Sequence, residues 1–94
     1  MPLNEIWVEG EEILKMTQAL SSKTSFRILQ LLANEKLDIS TIALRLGLSE
    51  AYISEEVNNL EDLNLIRVSY APGKRGIRKI CELQVDKIIL SLRK

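Results

Sequence analysis

The stretch from Asp38 to Asn64, DISTIALRLGLSEAYISEEVNNLEDLN, constrains the chain most, because it carries its own start and stop signals. Asp38 and Ser49 each precede a helical run and offer a side-chain oxygen to the unpaired N–H groups of a first turn. Gly47, between the runs, accepts the left-handed conformation that ends a helix. Asn64 is the next-best residue for that role and closes the second run. Ile39, Ile42, Ala43 and Leu46 give the first helix an inward face, and Leu48 is expected to anchor the corner. Ile53, Val57, Leu60 and Leu63 give the second a narrow apolar stripe at i, i+4, i+7 and i+10.

The flanks read as further elements. Residues 11–20 place Ile13, Leu14, Thr17 and Leu20 on one helical face. Ser21 or Ser22 caps a helix containing Phe26, Ile28, Leu29, Leu31 and Leu32, whose rich apolar face implies burial. From Leu65 the period changes to two, which predicts a hairpin over 65–84 with its turn at Ala71-Pro72-Gly73-Lys74. Val85, Ile88, Ile89 and Leu92 share one face of an expected short closing helix over 85–93. The expected fold is one domain over 1–94, mainly α with a small β-hairpin, flanked by N- and C-terminal helices.

Composition removes many functions. The chain has no His and one Cys, so no Cys–His or Ser–His pair, zinc cluster or intrachain disulfide can be built. No apolar run approaches the ~20 residues of a membrane span, and the acidic start MPLNEIWVEGEE is unlike a signal peptide. A cytoplasmic protein that is not an enzyme and uses no metal or cofactor is expected, its Cys81 a small buried apolar residue and Trp7 the cover of a hydrophobic edge. The net charge of zero hides segregation: residues 48–66 sum to −5 and residues 67–80 to +5. The basic block, clustered about two glycines and a proline, is a local electrostatic footprint.

Two helices at a tight glycine turn (39–63), followed by a basic hairpin, have the logic of a helix-turn-helix with a wing. ALSSKTSFRILQLLAN, DISTIALRLGLSEAYISEEVNNLEDLNLI and PGKRGIRKICEL, in that order over about residues 19–83, resemble the winged helix-turn-helix regulators of the ArsR type. The resemblance implies a homodimeric, sequence-specific transcriptional regulator of double-stranded DNA. It makes the helix after Ser49 the recognition helix. It implies dimer contacts through residues 11–20 and 85–93, that is Ile13, Leu14, Thr17, Leu20, Val85, Ile88, Ile89 and Leu92. The chain departs from the family pattern in three places. ISTIALRL lacks the cysteines of metal-sensing members, Ser25 stands where Arg is frequent, and Glu55 and Glu56 stand where Arg, His or Lys is frequent.

Candidate DNA contacts on the recognition helix are Ser49, Ala51, Tyr52, Ser54, Glu55, Asn58 and Asn59. Asn reads adenine, Tyr holds a phosphate or a thymine methyl, and Glu accepts from cytosine N4. Glu56 is expected to face water or Arg67 at the base of the wing. Lys74, Arg75, Arg78 and Lys79 are the wing candidates, for phosphates or a minor groove. The alternative is a protein–protein module in which the acidic helix meets a basic partner.

Overall fold

The computed structural model describes residues 4–93. Its centre is α4 (Glu50–Asp62), whose stripe of Ile53, Val57 and Leu60 is fully buried. Three helices precede it: α1 (Glu12–Leu20), α2 (Lys23–Leu32) and α3 (Ile39–Leu46). Ile28 and Leu32 of α2, with Ile39, Ile42 and Ala43 of α3, close over that stripe. The expected inward face of α3 is therefore observed, with Leu46 partly buried at its end. On α1 the fully buried residue is Met16, while Leu14 stays exposed.

The caps lie where the residues place them. Asp38 accepts from the Thr41 N–H at 2.8 Å and Ser49 from the Tyr52 N–H at 3.1 Å. Gly47 is left-handed at φ +68°, and Asn64 ends α4 at φ +63°. The corner is held by backbone: the Leu48 N–H donates to the Ala43 carbonyl at 3.0 Å, while the Leu48 side chain is exposed.

Strands β3 (Ile66–Gly73) and β4 (Gly76–Leu83) form the hairpin, and a two-residue strand β2 (Leu37–Asp38) joins its far side, in the order β2-β4-β3. The turn lies two residues later than expected, at Lys74-Arg75, with Gly73 opposite Gly76. Pro72 does not break β3 because β3 is an edge strand, where a missing N–H is tolerated. A Cβ at Gly73 would lie 2.6 Å from Cγ of Arg78, so a side chain there requires the Arg78 chain to shift.

The expected C-terminal helix over 85–93 is not formed. Lys87–Ser91 is a strand, β5, paired in parallel with β1 (Glu5–Glu9), and Ile6 faces Ile88 while Val8 faces Leu90. Ile88-Ile89-Leu90 is a continuous apolar run whose β-branched members favour a pleated surface, and an isolated helix of that length is marginal. Alternation of Ile6 and Val8 with Glu5, Trp7 and Glu9 supplies the matching strand. The described residues are about 44% helix and 31% strand, a larger share of sheet than one hairpin would give.

Replacing Gly47 with Ala meets no steric obstacle, yet forces a Cβ into the left-handed region. Urea unfolding of Gly47→Ala is expected to show a loss of about 1–2 kcal/mol with an unchanged m-value.

Candidate nucleic-acid interface

Burial of Ile53, Val57 and Leu60 fixes the rotation of α4, and side-chain bonds on its flanks lock it there. Toward α2, the Ser25 hydroxyl donates to Glu56 at 2.8 Å, and the Tyr52 hydroxyl lies 3.4 Å from that of Thr24. Toward α3, the Ser40 hydroxyl donates to Glu50 at 2.9 Å. Toward the wing, Lys79 Nζ donates to Asn58 Oδ1 at 2.8 Å. Glu56 is partly exposed and has Ser25, not the expected Arg67, as its side-chain partner. It is bonded to Ser25, which is 1% exposed, a pairing that brings a buried hydroxyl and a helix-surface carboxylate together. Ser40 carries no sequence signal for this role, and Ser25 is marked in the sequence only as standing where Arg is frequent.

The candidate recognition residues therefore separate into groups. Ala51 and Glu55 are exposed and take no part in these bonds. Ser54 lines a groove running between α4 and the wing, together with Glu50 and residues Gly73 to Lys79. Asn58 is exposed at the edge of that groove. Asn59 faces the other way, into a hollow lined by Lys15, Gln18 and Ala19 of α1, so it leaves the outward ridge. The Ser49 hydroxyl is occupied as the helix cap. Tyr52 leans to the α2 side but remains 39% exposed.

The basic block separates in the same way. Arg67 and Lys36 both pair with Glu82, whose carboxyl is held below its usual range first by the hydrogen bond from Arg67 and then by that from Lys36. Arg78 Nε bonds Asp38 Oδ2 at 2.8 Å, tying the wing to the start of α3. Among the described residues Lys74 and Arg75 form no ion pair, and both are exposed at the hairpin tip. Cys81, opposite Val68 in the ladder, is fully buried, and burial pushes its thiol up to about 11.

The candidate dimer residues differ in how far their own chain covers them. Ile13, Leu20, Val85 and Ile88 pack partly onto the chain's own core. The Thr17 hydroxyl bonds the Ile13 carbonyl of its own helix at 2.8 Å. Leu14 and Leu92 are 63% and 90% exposed, and Ile89 is partly buried on the strand that replaces the expected helix. Trp7 is 67% exposed on β1, so the indole covers little of its own chain. Among the described residues no group of metal-ligating side chains comes together, and no helix is long and apolar enough to cross a membrane.

No family model matches the chain and no curated protein matches it by sequence. Its fold is found among solved structures. Reduced HlyU from Vibrio cholerae superposes at a TM-score of 0.66 with 18% identity, covering 77% of this chain and 72% of that one. A homodimeric winged helix-turn-helix DNA-binding domain from Mycobacterium bovis, a possible ArsR-family transcriptional regulator, matches at 0.66 with 21% identity, covering 77% and 63%. A mutant of ZitR from Lactococcus lactis in apo form matches at 0.59 with 28% identity, covering 76% of this chain and 52% of that one. The chain thus has the winged helix-turn-helix fold of ArsR-type transcriptional regulators.

Asp38 joins helix cap, β2 and wing in one side chain. Hydrogen bonds from Thr41, and then the Arg78 guanidinium, hold its carboxyl below the usual carboxylate range. A depressed folded-state pKa contributes stability that is present above the unfolded value of about 4 and is lost as pH falls through the folded value. Asp38→Asn lacks this contribution at every pH. Thermal melts of the two proteins should differ at pH 7 and converge as the pH is lowered below about 4.

Proposed function

We propose that the protein is a sequence-specific double-stranded DNA-binding transcriptional regulator acting as a homodimer. The observation that carries this reading is the shared face of α4 and the wing. The groove between them is lined by Glu50 and Ser54 on one side and by Lys74 and Arg75 on the other. A helix of 13 residues with an exposed ridge fits a major groove, and a basic hairpin tip beside it reaches the flanking backbone. The homodimeric state of the Mycobacterium bovis neighbour supports the two-fold arrangement, with half-sites about one helical turn apart.

The work divides unequally within the interface. Lys74 and Arg75 supply phosphate contacts, since no intramolecular partner competes for them among the described residues. Arg78 and Lys79 act mainly by fixing the wing to Asp38 and Asn58. Glu55, free on the outward ridge with Ala51, accepts from a cytosine N4 amine; its negative charge also weakens binding to the wrong sequence. Ser54 and Asn58, at the groove edge, add hydrogen bonds to base or sugar.

Fluorescence anisotropy over a salt series tests the first division. Four tip charges per dimer predict a slope of log K against log salt of about −4, and Lys74→Ala with Arg75→Ala should abolish most of it. Absence of binding to any duplex at low salt by a folded protein would instead favour the acidic-helix partner module, to which exposed Glu55 and Asp62 are suited. Selection of bound sequences from a random duplex pool tests the second. Glu55→Ala should lose a C·G preference worth about 1–3 kcal/mol at one position per half-site, while non-specific affinity rises.

A further inference from the structure

The parallel pair of β1 and β5 is a sheet of two strands, so each strand has one edge with no partner strand among the described residues. The two edges differ in chemistry. β1, EIWVE, ends in exposed glutamates at Glu5 and Glu9, and a two-fold antiparallel pairing centred on Trp7 would oppose Glu5 to Glu9 of the second copy. Like charges directly opposed are destabilising, and charged edges resist pairing. β5, KIILS, carries Ile88, Ile89 and Leu90 with a single cation at Lys87. An unpaired apolar edge strand is a template for another strand.

We infer that β5 pairs antiparallel with β5 of a second copy about a two-fold axis at Ile89, joining the two sheets into a β1-β5-β5-β1 sheet across the dimer. This deepens the homodimer reading above and rests on it. The register follows from charge: centring on Ile89 opposes Lys87 to Ser91, whereas centring on Leu90 would oppose Lys87 to Arg93.

That register has a second consequence on the page. Beside β5 runs a largely apolar groove lined by Leu20, Phe26, Leu29, Val85 and Ile88, with Asp86 and Lys87 also in its lining. Phe26, on its wall, is 51% exposed. Extended one residue beyond each end of β5, antiparallel pairing about Ile89 brings residue 92 of the second copy toward residue 86, on the face of the sheet that carries Ile88. Leu92, at 90% the most exposed large hydrophobic among the described residues, is thereby delivered to this groove, and Leu90 lies across from Ile88. Pairing of β1 with β5 of another copy would leave free edges at both ends and grow without closing.

Disulfide trapping tests the register. Facing residues of an antiparallel pair have Cα atoms about 4.5–5.5 Å apart, within disulfide range. Ile89→Cys should cross-link to a covalent dimer on mild oxidation, whereas Glu9→Cys and the natural chain, with buried Cys81, should not. Light scattering with size-exclusion chromatography supplies an independent arm. Leu92→Glu, which places a carboxylate opposite Asp86, should raise the dimer dissociation constant at least tenfold. Leu92→Lys should do the same, since Asp86 and Lys87 both line the groove and either charge loses the apolar contact, and neither should alter the circular dichroism spectrum, because the side chain packs little within its own protomer. A dimer that forms without the Ile89→Cys cross-link, or is indifferent to Leu92→Glu, overturns the β5 pairing and leaves the homodimer reading standing. A monomer at all concentrations overturns both, with duplex binding decided separately by the salt series.

Discussion

The burial of Ile53, Val57 and Leu60 is the constraint from which the remaining geometry follows. A helix stripe three residues deep admits one rotation about the helix axis, and that rotation decides which side chains point outward. Tying Tyr52, Glu56, Glu50 and Asn58 to three different neighbours leaves α4 little freedom to roll. Such ties are individually weak, since exposed polar pairs contribute about 1 kcal/mol or less, but they act on a helix whose core face is already set. The outward ridge is therefore rigid before any partner arrives, which lowers the entropic cost of binding.

Electrostatics refine this picture. Most cations of the +5 block are taken up within the fold, by partners other than the acids of the −5 block. Asp38 takes Arg78, Glu82 takes Arg67 and Lys36, and Asn58 takes Lys79. What remains outward is cationic at the hairpin tip and anionic on the helix. A surface with both signs side by side discriminates between partners more than it attracts them.

Legibility in the sequence followed the range of the interactions. Asp38, Gly47, Ser49 and Asn64 act on backbone within three or four residues, so their roles could be read directly and α3 and α4 lie where those residues put them. Period-two alternation likewise revealed β3 and β4, although Pro72 and Gly73 drew the turn too early, because edge position and the close passage of Arg78 exist only in three dimensions. β5 was unreadable as a strand since its partner lies at the opposite end of the chain, and Val85, Ile88, Ile89 and Leu92 fit a helix equally well in isolation. Within the site, exposure of Lys74, Arg75 and Glu55 was legible from the turn and the apolar stripe. The reassignment of Glu56, Asn59 and Arg78 was not, for it depends on Ser25, α1 and Asp38 arriving from elsewhere.

The strap of β1 and β5 joins backbone separated by 82 positions, as the bond from the Asn4 N–H to Asp86 records. Closing so large a loop is entropically costly and is rewarded only once the helices have already condensed. The helix pair and hairpin, built from contacts near in sequence, can assemble first, with the strap as the last and most easily opened cooperative unit. Fraying of this unit would leave the groove-facing ridge of α4 intact, so the strap and the helix-turn-helix are separately melting parts of one small domain.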